Sequence, residues 1–377
     1  MHRLGLDVFD EGGKPLRLRG VDLGGWLLWE GWIWGGGINL LHFWSQSQSS
    51  IEEKLTEAAG ADAMCTFRAG VRDRFIGEAD IAAIADAGFN VVRVPLNHRD
   101  FACDGSPGWA LVDRLLDWCE THGVYAVLEL HSAPGGQTQF FISDPERVLL
   151  WDSADARDRT VAVWTALARR YAGRSIVAGY DLLGEPMPPK PSDVVDLYRR
   201  IVAGIRAVDP GHMLIVEGTD YARDFSMLTA PLDPNQIYSF HLYTWFGDDR
   251  RERLAAYAKV AAEQGVPMWC GEFGENTRPM IESTLAMFDA QAPPLVGWSY
   301  WTWKRTAASN WATLHGILLP PGWQRLISWA VNGEGSRPAP EEARRSMQQF
   351  LDATAYDRLV ADPALVDDLS EHARRKW

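Results

Sequence analysis

Residues 81–96 read IAAIADAGFNVVRVPL. Ile81, Ile84 and Ala85 fall at helical spacing, and Gly88 stands where a left-handed cap would end that helix. The run that follows, 90–96, is β-rich and apolar on the consecutive positions Val91 and Val92. A strand apolar on successive residues is covered on both faces, the condition of an interior parallel strand. The same order of helix and apolar strand recurs in both directions along the chain. Strands are predicted over 16–23, 90–96, 125–131, 178–183, 213–218, 236–243, 267–272 and 295–301. Between them, Leu111, Leu115, Trp118 and Cys119 lead to Gly123, and Val161, Trp164, Ala168 and Tyr171 lead to Gly173. Val194, Leu197, Tyr198, Ile201, Ile205 and Val208 follow Ser192, a candidate cap. Eight such strands with helical crossovers close most economically as a (β/α)8 TIM barrel. The alternative is a doubly wound open sheet, but no G-x-G-x-x-G turn follows the first strand.

A single barrel spanning 1–377 then leaves two stretches over. Residues 26–75, after strand one, carry Trp26, Trp29, Trp32, Trp34 and Trp44, and residues 305–340, after strand eight, carry Pro320 and Pro321. Both are expected to be inserted loops that shape the site, and 355–377 is expected to form a peripheral C-terminal helix. Lys and Arg number 37 against 50 Asp and Glu, a net charge of −13, so nucleic acid and anionic membrane surfaces are not expected as partners. No run approaches the roughly 18 apolar residues of a membrane span. Arg3, Asp7, Asp10, Glu11 and Lys14 interrupt anything like a secretory signal. A cytoplasmic location is expected, or secretion where a leader was removed. The four cysteines, Cys65, Cys103, Cys119 and Cys270, lie far apart and read as reduced thiols. The 18 Trp are the unusual entry in the composition, since indole faces suit both cores and the apolar faces of sugar rings.

In such a barrel the C-terminal strand ends share one mouth, so polar residues there carry information about function. In order, the ends supply Asp22, Arg93 with Asn97, His131, Glu185, Glu217, His241 with Tyr243, Glu272, and Trp298 with Trp301. Carboxylates close both strand four and strand seven, which lie across the barrel from each other. Two facing carboxylates are the minimum for glycoside hydrolysis, one protonating the leaving oxygen while the other attacks or activates water. The competing reading is a salt-bridge network around Arg93.

These ends sit in the segments LRGVDLGGW (18–26), GFNVVRVPL (88–96), LELHSAPGGQ (128–137), GYDLLGEP (179–186), LIVEGT (214–219), FHLYTW (240–245), WCGEFGE (269–275) and GWSYWTWK (297–304). In this order they resemble glycoside hydrolase family five, and GGWLLWEGWI with the stretch from Phe67 to Pro95 further resembles its exo-acting β-1,3-glucanase branch. The resemblance implies a retaining double displacement with Glu185 as acid/base and Glu272 as nucleophile. By the same carry-over, Arg93 would keep Glu272 ionised and Tyr243 would hydrogen-bond it. His131 and His241 would line the reactive-sugar subsite, Trp301 would be its platform, and Glu30 would contact hydroxyls of the terminal sugar. The partner implied is a carbohydrate, with no cofactor or metal.

Three positions depart from the family pattern. Gly184 stands where Asn normally hydrogen-bonds the sugar 2-hydroxyl, a contact expected to strengthen in the transition state. The favoured expectation is a void beside C2 that admits a 2-substituent, and the alternative is a compensating side chain. Asp22 stands for the usual Asn, and Phe141 for an Asp that helps the exo-glucanases recognise terminal glucose, so plain laminarin trimming is in doubt. Trp29, Trp32, Trp34, Trp151, Trp245 and Trp303 are candidate sugar platforms with a core role equally open. A catalytically weak or inactive sugar-binding barrel and an endo-β-glucanase with an open cleft remain alternatives. A metal-dependent hydrolase is disfavoured, because the chain has neither an H-x-H on strand one nor an H-E-x-x-H helix.

Overall fold

The computed structural model of the protein describes residues 1–37, 44–245, 247–291 and 294–375. Residues 38–43 of the first predicted insertion and 376–377 of the tail lie outside them. Three short strands come first, β1 (His2–Leu4), β2 (Asp7–Phe9) and β3 (Pro15–Leu16), in an antiparallel sheet. Eight parallel strands then close a barrel: β4 (Leu18–Asp22), β5 (Val91–Asn97), β6 (Tyr125–Ser132), β7 (Val177–Asp181), β8 (Met213–Glu217), β9 (Gln236–Leu242), β10 (Met268–Gly274) and β11 (Leu295–Trp301). The barrel is the predicted one, and the bounds differ chiefly at its first strand. The predicted strand 16–23 divides because Leu16 pairs with Val8 of the N-terminal sheet, while Arg17 Nη2 reaches Asp7 Oδ1 at 2.7 Å. That sheet inserts Val8 among Leu18, Val91, Val127, Ile215, Ile237 and Trp269, sealing the N-terminal end of the barrel with a dry plug. All seven residues of β5 are buried, as its apolar run requires.

Of the three glycines expected to cap helices, Gly88 (φ 89°) and Gly123 (φ 70°) have left-handed backbone. Gly173 does not, because the helix Ala154–Tyr171 runs out through tight turns, Arg174 N–H to Tyr171 O and Val177 N–H to Arg174 O, that need no positive φ. The first insertion is largely helical rather than a loop, and the second carries the helix Pro321–Asn332. Helices Gln48–Ala59 and Ala61–Arg74 pack against Pro321–Asn332 and Pro340–Ala353. Their interface is aromatic: Trp34 lies 4.6 Å from Trp29 and 5.2 Å from Phe350, and Trp323 stacks on Phe350 at 4.1 Å. Full burial of such side chains contributes about 1.5–3 kcal/mol each, so Trp29 and Trp34 are core residues. Trp303 is too, its Nε1–H donated to Asp80 Oδ1 at 2.9 Å.

Strand β12 (Lys304–Thr306) pairs with β13 (His315–Ile317), and β13 with β14 (Val360–Ala361). The tail is therefore a strand and a helix, Pro363–Arg374, rather than one peripheral helix. No described helix is long and apolar enough to cross a membrane.

Candidate active site

The strands deliver their inward side chains to a polar layer centred on Arg93. Its Nη1 lies 2.6 Å from Glu272 Oε1 and 3.5 Å from Asp22 Oδ1, its Nη2 2.9 Å from both Glu129 and Glu217, and its Nε 3.2 Å from Asp181. Five buried carboxyls around one guanidinium cannot all be ionised. Burial, reinforced by neighbouring carboxylates and opposed by Arg93, pushes Asp22 and Asp181 well above the ordinary range. Burial works against charge on His131 as well, but Glu129 outweighs it and raises this histidine to about 10. His241 is likewise held well above its usual value, Glu217 and Glu272 overcoming the cost of burial. Two groups, Glu185/His241/Glu272 and Glu129/Asp181/Glu217, have donor atoms close enough to hold a metal. In the second of them the Arg93 guanidinium already supplies the positive charge.

Glu185 sits just beyond β7 with left-handed backbone, φ 47°, a strain of about 1–2 kcal/mol. Its N–H donates to Glu217 Oε2 at 2.7 Å, and Gln137 Nε2 donates to Gly184 O at 2.8 Å, so hydrogen bonds on both sides hold the turn. His241 Nδ1 contacts Glu185 Oε1 at 2.6 Å and Glu272 Oε2 at 3.5 Å. One oxygen each of Glu185 and Glu272 therefore lie within 4.8 Å of each other. Tyr243 donates its hydroxyl to Glu272 Oε2 at 2.7 Å. Burial would raise Glu272, but His241, Arg93, His131 and this hydroxyl outweigh it and keep its carboxyl below the ordinary range. Glu185 is raised, chiefly by burial and further by Glu272. The two environments thus differ in the sense that an acid and a nucleophile require.

The sign of the pH dependence follows. Activity needs Glu272 ionised and Glu185 protonated, so it should rise as pH climbs through the depressed value of the first and fall through the elevated value of the second. A bell in kcat/KM is expected, its acid limb below and its alkaline limb above an ordinary glutamate titration. A profile flat from pH 4 to 9 would contradict this assignment.

The expected void beside Gly184 is absent. A Cβ at Gly184 would lie 2.0 Å from Glu129 Oε1 and 2.6 Å from His131 Nδ1. The space belongs to Glu129, whose Oε1 is 2.5 Å from His131 Nδ1. The room a side chain at 184 would need is thus taken by Glu129 and His131 of strand β6, so the expected empty space for a 2-substituent is not found there. LELH at 128–131 puts Glu129 and His131 on one face of that strand, a spacing visible in the sequence.

Trp301 faces His131 across the pocket, ring centroids 6.5 Å apart and 26° from parallel. Glu30 accepts the indole N–H of Trp32 at 2.8 Å, and burial raises its carboxyl to about 8, His131 pulling it back and Glu272 and Glu185 pushing it up. All the predicted site residues therefore meet at one mouth. The remaining candidate platforms divide: Trp32 and Trp151 are 5% and 8% exposed, while Trp245, 51% exposed, stacks on Tyr243 at 4.4 Å. The sequence pattern marks neither Asp181 nor Glu275.

The family model for Cellulase (glycosyl hydrolase family 5) matches residues 54–307. A β-xylosidase from Phanerodontia chrysosporium is 32% identical over 295 residues, covering 72% of this chain and 60% of that protein. A probable glucan 1,3-β-glucosidase A from Aspergillus niger is 24% identical over 363 residues, covering 79% of this chain and 85% of its own. Among solved structures, a rutinosidase from Aspergillus niger superposes with a TM-score of 0.60 at 19% identity, covering 79% of this chain and 92% of its own. An endogalactoceramidase superposes with a TM-score of 0.59 at 17% identity, covering 92% and 84%. At such identities these two speak for the fold alone. By its match over residues 54–307, two thirds of its length, the chain belongs to the cellulase family, glycosyl hydrolase family 5, a family of glycoside hydrolases.

Proposed function

We propose that the protein is a retaining β-glycoside hydrolase that removes single sugars from the non-reducing end of β-glucosides, β-xylosides or short β-glucans. The observation that carries the mechanism is the approach of Glu185 and Glu272 to within 4.8 Å. Retaining pairs stand about 5–5.5 Å apart and inverting pairs about 6.5–9.5 Å, since inversion must leave room for a water. In the first step Glu272 attacks C1 while Glu185 gives its proton to the departing oxygen, leaving a covalent glycosyl ester. In the second, Glu185, now ionised, takes a proton from water, whose oxygen attacks C1 and releases Glu272. Tyr243, 2.7 Å from Oε2, and Arg93, 2.6 Å from Oε1, hold the two oxygens of the Glu272 carboxylate, which attacks and later receives the returning charge.

Exo action is supported by the loop after β4, which buries Glu30 and Trp32 close enough to the site for His131, Glu272 and Glu185 to act on the Glu30 carboxyl. The substrate range draws on the relatives described as a β-xylosidase and as a glucan 1,3-β-glucosidase. The test is proton NMR of a β-1,3-gluco-oligosaccharide digest. The β-anomer of glucose should appear first, with no disaccharide released early. Initial α-anomer would exclude retention, and initial mixtures of internal fragments would exclude exo action.

A further inference from the structure

Beyond the groups already assigned, one carboxyl faces the pocket without a protein partner. Glu275 follows β10 directly, is 5% exposed, and has left-handed backbone at φ 49°. A buried non-glycine residue in that conformation is strained, and such strain collects at ligand sites. Its carboxyl makes no hydrogen bond or ion pair with any described residue. Burial pushes it well above the usual range, Arg305 pulls it back, and Glu30, Glu272 and Glu185 push it further, so these are the charges around it.

Arg305 is the complementary half. It is 1% exposed and lies over the rings of Trp32 and Trp311 at 5.8 and 5.5 Å. Its Nε donates to Thr313 Oγ1 and its Nη2 to Ala312 O, while Nη1 is buried without a partner. No carboxylate of a described residue lies within 4 Å of this guanidinium. Arg305 and Glu275 attract across a gap wider than an ion pair, which suits a hydroxyl that accepts from one and donates to the other.

The topology says which hydroxyl. Around the barrel, β11 is diametrically opposite β7. Glu275, Arg305 and Glu30 follow β10, β11 and β4, so they gather across the mouth from Glu185, which receives the leaving group. A pyranose whose C1 points to Glu185 turns its C4 away from it. We infer that Glu275, with Arg305 and Glu30, binds the 4-hydroxyl of the reactive terminal sugar, and that Glu275 is a specificity-determining residue of this pocket. The inference rests on the reading above, that C1 lies between Glu185 and Glu272.

The experiment compares an aryl β-glucoside with its 4-deoxy counterpart on wild type, Glu275→Gln, Glu275→Ala and Glu275→Gly. Gly accepts φ 49° without strain and so guards against a folding failure. Wild type should prefer the parent by about 100-fold or more in kcat/KM, since a site built for a hydroxyl rejects the analogue lacking one. The Ala and Gly variants should bring that preference to within about threefold, mostly by losing rate on the parent, with Gln intermediate. Equal losses on both substrates, or a wild type indifferent to the 4-hydroxyl, would overturn the inference. Failure of the underlying reading has a separate signature, full turnover of the parent glucoside by Glu272→Gln.

Discussion

Glu272→Gln should lower turnover of an aryl β-glucoside by at least about 10⁴-fold, roughly 5.5 kcal/mol of lost transition-state stabilisation. The amide keeps the volume of the carboxylate; its one oxygen can still accept from Arg93 while its NH2 donates to the Tyr243 hydroxyl, so the loss should come without unfolding. What it cannot do is form the ester with C1. Glu185→Gln should behave differently, because its job depends on the leaving group. With a dinitrophenyl glycoside, which departs without a proton, the first step should proceed and the glycosyl ester should accumulate as a burst, since the second step lacks its base. With an alkyl glycoside both steps should fail. Azide completes the argument: in the space left by Glu185→Ala it should attack the ester and give a β-glycosyl azide. In Glu272→Ala it should attack the intact substrate and give the α-product. A Glu272→Gln enzyme with near wild-type rate, or the same azide anomer from both variants, would remove Glu272 as nucleophile.

The barrel and the facing carboxyls of Glu185 and Glu272 were legible because both depend on local patterns: apolar runs such as Val91–Val92 mark the strands, and a carboxylate closing an apolar strand marks the mouth. The tryptophans were not, since an indole in the core and one in a sugar site obey the same spacing. Trp29 and Trp34 became core residues only because two helices from the first insertion meet two later helices around them. Glu275 was hidden for another reason. It lies past the strand, where Gly274 (φ 135°) turns the chain back toward the pocket, and a backbone turn of this kind leaves no periodic trace. Gly184 was read correctly as a missing side chain and wrongly as an empty place, because what fills it arrives from a neighbouring strand.

That neighbour makes Gly184→Asn the second large effect. A Cβ 2.0 Å from Glu129 Oε1 overlaps it by more than an ångström, and Glu129 cannot swing aside without leaving Arg93 at 2.9 Å and His131 at 2.5 Å. The clash is therefore with a side chain that hydrogen bonds and charge hold in place, not with a flexible tip. Overpacking of this kind costs about 1–3 kcal/mol, and breaking a buried charge pair about 3–5. Asn at 184 should lower Tm by several degrees and kcat/KM by at least about 100-fold, although it restores the family's usual residue. Glu129→Ala alone should also lose activity, because His131 is then no longer held as a charged, oriented ring in the place an Asn would occupy. The double variant Glu129→Ala/Gly184→Asn relieves the overlap and puts an amide beside C2. It should be more active than Gly184→Asn by about tenfold or more, a coupling of at least about 1.4 kcal/mol between residues that touch. Tm and kcat/KM of the four proteins measure it. Additive losses, or a Gly184→Asn enzyme as stable and active as wild type, would mean that Glu129 does not own that space. Coupling of the expected sign would make residues 129 and 184 two halves of one exchange, in which a carboxylate–imidazolium pair stands in for a single amide at the reacting sugar.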